Sequence, residues 1–129
     1  MTTNDLNRLS TLGSRTEVTD FFDNVTLIRD RCKEIERFSW TSLRYQNDIL
    51  RLILQNREKG GCIVEVGCFR GGLSAQLAYL AKVLTKKFYA LDIDETAVAT
   101  TVDTLSEFNL QDDVLVFQGL AIPSFSPLK

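Results

Sequence analysis

The chain has 129 residues, 15 of them Lys or Arg and 17 Asp or Glu, for a formal net charge of −2. At 44% hydrophobic and 25% charged it can bury a core of single-domain size. The near-neutral balance carries no electrostatic footprint for nucleic acid or an anionic membrane, and the absence of His excludes Ser-His and Cys-His nucleophile pairs and His-based zinc sites.

Residues 1–13 are polar and read as a loose N-terminus without a signal-peptide core. Ser14-Arg15-Thr16-Glu17 has the form of a capping box. Apolar residues then fall at Val18, Phe21, Phe22, Val25, Ile28, Cys32 and Ile35, the spacing of a helix with one buried face. Phe38-Ser39-Trp40-Thr41-Ser42 breaks that pattern. A second amphipathic helix follows, with Leu43, Gln46, Ile49, Leu50, Ile53 and Leu54 on its inner side, ending near Lys59-Gly60-Gly61. Residues 14–60 thus form a helical segment.

From Cys62 the texture changes. Cys62 to Val66 is an apolar strand interrupted by Glu65, and continuous apolar strands mark a parallel sheet covered on both faces. Leu73 to Leu84 is an Ala/Leu-rich helix. Phe88 to Asp92 is a second strand ending in acid. Asp94-Glu95 caps a helix from Thr96 to about Phe108, with Ala97, Val98, Val102 and Leu105 facing inward. Val114 to Phe117 is a third strand, and residues 122–129 trail off as an irregular tail. The expected architecture is α/β: the N-terminal half of a Rossmann-like, doubly wound parallel sheet, order 3-2-1, preceded by two amphipathic helices. The edge of the first strand would be open to association, so a homo-oligomer is expected there. The three cysteines have neither metal-ligand nor redox spacing and read as free thiols, Cys62 and Cys68 as small packing residues. No apolar run is long enough to span a bilayer, so the expected location is cytoplasmic.

The chemistry concentrates in Glu65-Val66-Gly67-Cys68-Phe69-Arg70-Gly71-Gly72, a strand end running into a glycine-rich turn and a helix. A dinucleotide turn would be Gly-x-Gly-x-x-Gly, its second glycine admitting a pyrophosphate. Here Phe69 fills that place, and Glu65 precedes the turn. A carboxylate suits a ligand with a positive end, an ammonium or a sulfonium, rather than a diphosphate. Structural readings stand beside this one. Glu65 could cap the turn or pair with Arg70, and Asp92 could be a helix-preceding cap. Phe69 could close over a ligand or only pack the turn. Arg70 reads as a solvated arginine, Trp40 and Tyr45 as core packing, and Lys82, Lys86 and Lys87 as a solvated helix end.

The segment Glu65 to Ser74 resembles motif I of the class I S-adenosylmethionine-dependent methyltransferases, in the variant of the catechol and macrocin O-methyltransferases. There an aromatic replaces the middle glycine and a serine follows the last. Ala90-Leu91-Asp92-Ile93-Asp94 is similar to that family's next motif. The resemblance covers residues 61–121 and implies S-adenosylmethionine as cofactor and a small-molecule methyl acceptor. It implies that Asp92 accepts both ribose hydroxyls and that Ile93 packs on adenine. Glu65 would hold the turn and the amino group, and Gly67, Cys68, Gly71 and Gly72 would bring backbone against the methionine and sugar, beneath Phe69. Gly119-Leu120-Ala121 stands where the family often has Gly-Asp-Ala, and the family's fourth strand, which leads into the acceptor pocket, has no counterpart. No catalytic residue or metal ligand is assigned. The expectation is the cofactor half of a methyltransferase, apparently truncated after the third strand. The alternatives are an incomplete cofactor-binding or association module and, disfavoured by Phe69 and Glu65, a nicotinamide-binding fragment.

Overall fold

The computed structural model describes residues 15–120. Residues 1–13, expected to be loose, Ser14 of the expected capping box and residues 122–129, expected as a tail, lie outside them. The elements are α1 (Arg15–Glu34), α2 (Leu43–Gln55), β1 (Ile63–Val66), α3 (Gly72–Leu84), β2 (Phe88–Asp92), α4 (Glu95–Glu107), a 3-10 turn (Gln111–Asp113) and β3 (Val114–Gln118). Local chemistry accounts for most of these boundaries. Ser42 caps α2 by accepting from the Tyr45 amide at 3.2 Å, and Asp94 caps α4 through the Thr96 amide at 3.1 Å. The helix α3 stops at Thr85, which adopts the left-handed conformation with φ 55°. The helix α2 ends at Asn56, before the basic-glycine run expected to stop it.

The three strands pair in parallel in the order β1-β2-β3, with Glu65 beside Ala90 and Ala90 beside Val116. The three-stranded parallel α/β sheet expected from the sequence is the one formed, with β1 at an edge among the described residues. The helix α3 lies against β1 and β2, α4 against β2 and β3, and α1 and α2 pack on α3. The stripe predicted for α1 is buried from Val18 to Cys32, and Phe21 stacks on Tyr79 with centroids 5.4 Å apart. Phe88, Leu80 and Leu105 are almost wholly enclosed beneath the sheet's covered face. Each such side chain contributes about 1.5–3 kcal/mol.

Three expectations are corrected. The second face of the sheet is covered only in part: Val64, Val66 and Leu115 are 44%, 64% and 60% exposed, although Leu91, the neighbour of Val66 on that face, is buried. Successive right-handed crossovers moving in one direction place both α3 and α4 on the same side, so the opposite side gains no helix among the described residues. Leu43 and Val102 are exposed rather than inward. In α4 the inner stripe is Ala97, Thr101, Thr104 and Leu105, with Val98 half-buried. Cys62 is exposed, whereas Cys32 and Cys68 are buried, and all three are free thiols. No described helix is long and apolar enough to cross a membrane.

Candidate functional site

The candidate site lies at the carboxyl ends of β1 and β2, where open parallel sheets receive their ligands. Glu65 is on the helix-covered face of β1 and is 9% exposed. Its carboxylate accepts a short hydrogen bond from the Ser74 hydroxyl in the first turn of α3. Burial pushes its pKa up to about 7; the Ser74 bond opposes that shift and the neighbouring Asp92 charge adds to it. A buried carboxyl held near neutrality beside a second carboxylate would gain from a cationic neighbour. Arg70 does not provide one. Its guanidinium lies 5.3 Å from the Phe69 ring centroid and 5.6 Å from that of Phe38, and it donates to the Glu36 carbonyl at 3.2 Å. The pairing with Glu65 considered from the sequence is therefore not formed, and Arg70 is half-buried on aromatic rings rather than solvated.

Asp92, at the end of β2, joins the two strand ends. One carboxylate oxygen accepts the Phe69 amide at 3.2 Å and the other accepts the Asp94 amide at 2.9 Å. Asp92 is thus a fastener of the turn, while Asp94 is the true helix cap. It remains half-exposed, and each of its oxygens keeps a lone pair for a further donor. Ile93, next in the chain, is 66% exposed.

The glycines divide by role. Gly67 has φ +85° and open space where a side chain would stand, so a ligand can approach the backbone there, although its amide already donates to the Leu91 carbonyl at 2.8 Å. Gly71 also has φ +85°, and a Cβ on it would stand 3.0 Å from Thr104 Cβ. At Gly72 a Cβ would stand 2.5 Å from the Arg37 carbonyl oxygen, because the link between α1 and α2 crosses directly over the start of α3. Gly71 and Gly72 therefore have packing reasons of their own. The Cys68 side chain is buried, and desolvation raises its pKa; a hydrogen bond with Thr101 opposes that shift, and the Glu65 and Asp92 charges add to it. Phe69 holds a positive φ of 50°, uncommon outside glycine, and its ring lies 5.1 Å from that of Trp40. Trp40 and Tyr45, expected in the core, are 77% and 50% exposed. Among the described residues no group of three or more His, Cys, Asp or Glu is gathered as a metal site would require.

Over 73 residues the chain is 37% identical to a probable cobalt-precorrin-6B C(15)-methyltransferase (decarboxylating) of Pyrobaculum aerophilum. The match takes in 57% of this chain and 34% of the relative, so the chain spans about a third of the length of the curated protein it matches. No family model matches. No solved structure matches either.

Two residues that sequence reasoning passed over hold the turn from below. The Thr104 hydroxyl donates to the Arg70 carbonyl at 2.6 Å, and the Thr101 hydroxyl reaches the Phe69 carbonyl at 3.4 Å. Both threonines are fully buried. Their place beside Ala97 and Leu105 at helical spacing was the available signal; a preference for valine over threonine as a core residue hid it.

Proposed function

We propose that the chain forms the S-adenosylmethionine-binding part of a methyltransferase. The observation that carries this reading is the pair of carboxylates, Glu65 and Asp92, at the ends of adjacent parallel strands on either side of a glycine turn with open backbone at Gly67. The identity to a named methyltransferase over the larger part of this chain supports it. In this reading Asp92 accepts the ribose hydroxyls with its spare lone pairs, Glu65 faces the positive end of the ligand, and Ile93 offers an apolar surface to adenine. Phe69 and Trp40 wall the site on the side of the α1–α2 link. The bound cofactor supplies an electrophilic methyl group; the protein's part is to orient it and exclude water. An oxygen acceptor on a small molecule is proposed from the Phe69-containing turn alone, since the relative is named for methylation at C(15).

Isothermal titration with S-adenosylmethionine and S-adenosylhomocysteine tests the reading. Binding of both, with a ligand-dependent rise in melting temperature, is expected; a flat titration at millimolar ligand refutes it. A second reading, an incomplete cofactor-binding or association module, is favoured by the exposure of Val64, Val66 and Leu115 on one sheet face and by the place of β1 at the edge of the sheet among the described residues. Light scattering tests the association half of it: self-association sensitive to Val66→Lys supports an association module, and a monomer at all concentrations removes that half.

A further inference from the structure

Away from the strand ends, α1, α2, their connecting link and the start of α3 enclose a cavity of about 350 Å3, at the small end of the range for small-molecule sites. It contains none of Glu65, Asp92 or Ile93. Its distinguishing group is Arg29. The Arg29 guanidinium is partly buried, and that desolvation lowers its pKa. Its two hydrogen bonds go to neutral amides: Nε donates to Gln76 Oε1 at 3.1 Å and Nη2 to Asn47 Oδ1 at 2.8 Å. Neither partner carries a countercharge, and three of its five N–H donors have no partner among the described residues.

A guanidinium drawn partly out of water without a paired carboxylate loses some hydration that a bound anion would restore. The amides do not compensate charge; they fix the direction of the fork. Gln76 is itself held, donating to Gln46 Oε1 at 2.8 Å and to the Gly72 carbonyl at 3.1 Å, and Gln46 donates onward to the Thr41 carbonyl at 2.9 Å. Gln76 and Gln46 are both buried. The charged group is thus mounted on a rigid polar scaffold. Lys33 adds a second cation to the same wall; Thr26 and Ser39 also line it, their hydroxyls already bonded to the Phe22 carbonyl and to the Thr41 hydroxyl. Asp30 is the lining's single carboxylate and is exposed, which leaves a cationic excess. Phe38 and Leu43 supply an apolar side. A fixed fork, a second ammonium and an apolar wall match a small organic anion, because an oxyanion takes parallel donors from a guanidinium.

We propose that this cavity, with Arg29 aimed by Gln76 and Asn47 and Lys33 beside it, binds the carboxylate or phosphate group of a small metabolite with an apolar body. The site is independent of the S-adenosylmethionine reading.

The test is titration of the whole chain with inorganic phosphate, phenyl phosphate and phenylacetate at constant ionic strength, followed by thermal shift and by NMR of the side-chain N–H groups. Millimolar or tighter binding is expected, with phenyl phosphate at least fivefold tighter than phosphate, displacement of the Arg29 Nε–H and Gln76 amide signals, and no loss in Asp92→Ala. A preference between phenyl phosphate and phenylacetate assigns the anion. Arg29→Gln is expected to weaken binding at least tenfold. Where that variant unfolds, the NMR map on the native chain decides. Signals that move only elsewhere, an adventitious ion only, or no change up to high millimolar anion overturns the proposal.

Discussion

The Phe69 amide donates to the Asp92 carboxylate across 23 residues of sequence, at 3.2 Å. With the Gly67 amide, which donates to the Leu91 carbonyl at 2.8 Å, this bond ties the turn after β1 to the end of β2. Asp92→Ala removes it together with the bond to the Asp94 amide. We expect a stability loss of about 1–2 kcal/mol by urea denaturation, and at least a tenfold loss of S-adenosylmethionine affinity by calorimetry. Unchanged affinity would remove Asp92 from the ribose assignment.

Glu65 makes stability depend on pH in an unusual direction. Its folded pKa, about 7, lies above the ordinary value of 4.5. Between these values the unfolded chain releases the proton while the folded chain keeps it, so unfolding becomes easier as pH rises through that window and levels off above it. The span corresponds to roughly 3 kcal/mol. Glu65→Gln keeps an acceptor for the Ser74 hydroxyl and removes the ionisation. Its denaturation midpoint should be flatter between about pH 5 and about pH 8, and above that of the parent at the alkaline end. A cationic ligand facing Glu65 should bind the parent more tightly as pH rises through 7 and should lose this dependence in the variant. Parallel stability profiles of parent and variant would show that the carboxyl titrates normally.

Thr104 tests how the turn is supported. Its hydroxyl is buried and donates to the Arg70 carbonyl at 2.6 Å. Thr104→Val keeps the shape and leaves that carbonyl without its donor, at a cost of about 1–3 kcal/mol. Hydrogen exchange should also rise at the Phe69 and Gly71 amides. A variant as stable as the parent would mean that water replaces the hydroxyl freely.

The ordered elements were legible because their punctuation is local. Ser42 and Asp94 mark ends that capping chemistry fixes, and β2 runs from Phe88 to Asp92 as its apolar run and terminal acid imply. The proximity of Glu65 and Asp92 was legible too, since consecutive parallel strands put their carboxyl ends side by side. What remained hidden depends on contacts distant in sequence. Nothing near Trp40 says that it leaves the core to lie on Phe69. Nothing near Val64 says which face of the sheet the crossovers will cover. The buried Gln46 and Gln76 are read as surface amides until each is seen to satisfy the other.

Gly67 and Gly72 separate a ligand's demand from a packing demand. At Gly72 a methyl group would stand 2.5–2.6 Å from backbone atoms of Arg37, Phe38 and Ser39, none of which can swing aside as a side-chain tip can. Gly72→Ala must push the α1–α2 link off α3, and we expect a loss of about 1–3 kcal/mol, with weakened ligand affinity only in proportion to the unfolded fraction. At Gly67 there is room for the methyl group, and the cost is the left-handed φ of +85°, about 1–2 kcal/mol. There the methyl group would stand in the space proposed for the cofactor's methionine part. Gly67→Ala should therefore lower S-adenosylmethionine affinity well beyond its stability loss, measured on the folded protein below its melting point. Affinity losses that track stability in both variants would place the ligand elsewhere than over Gly67.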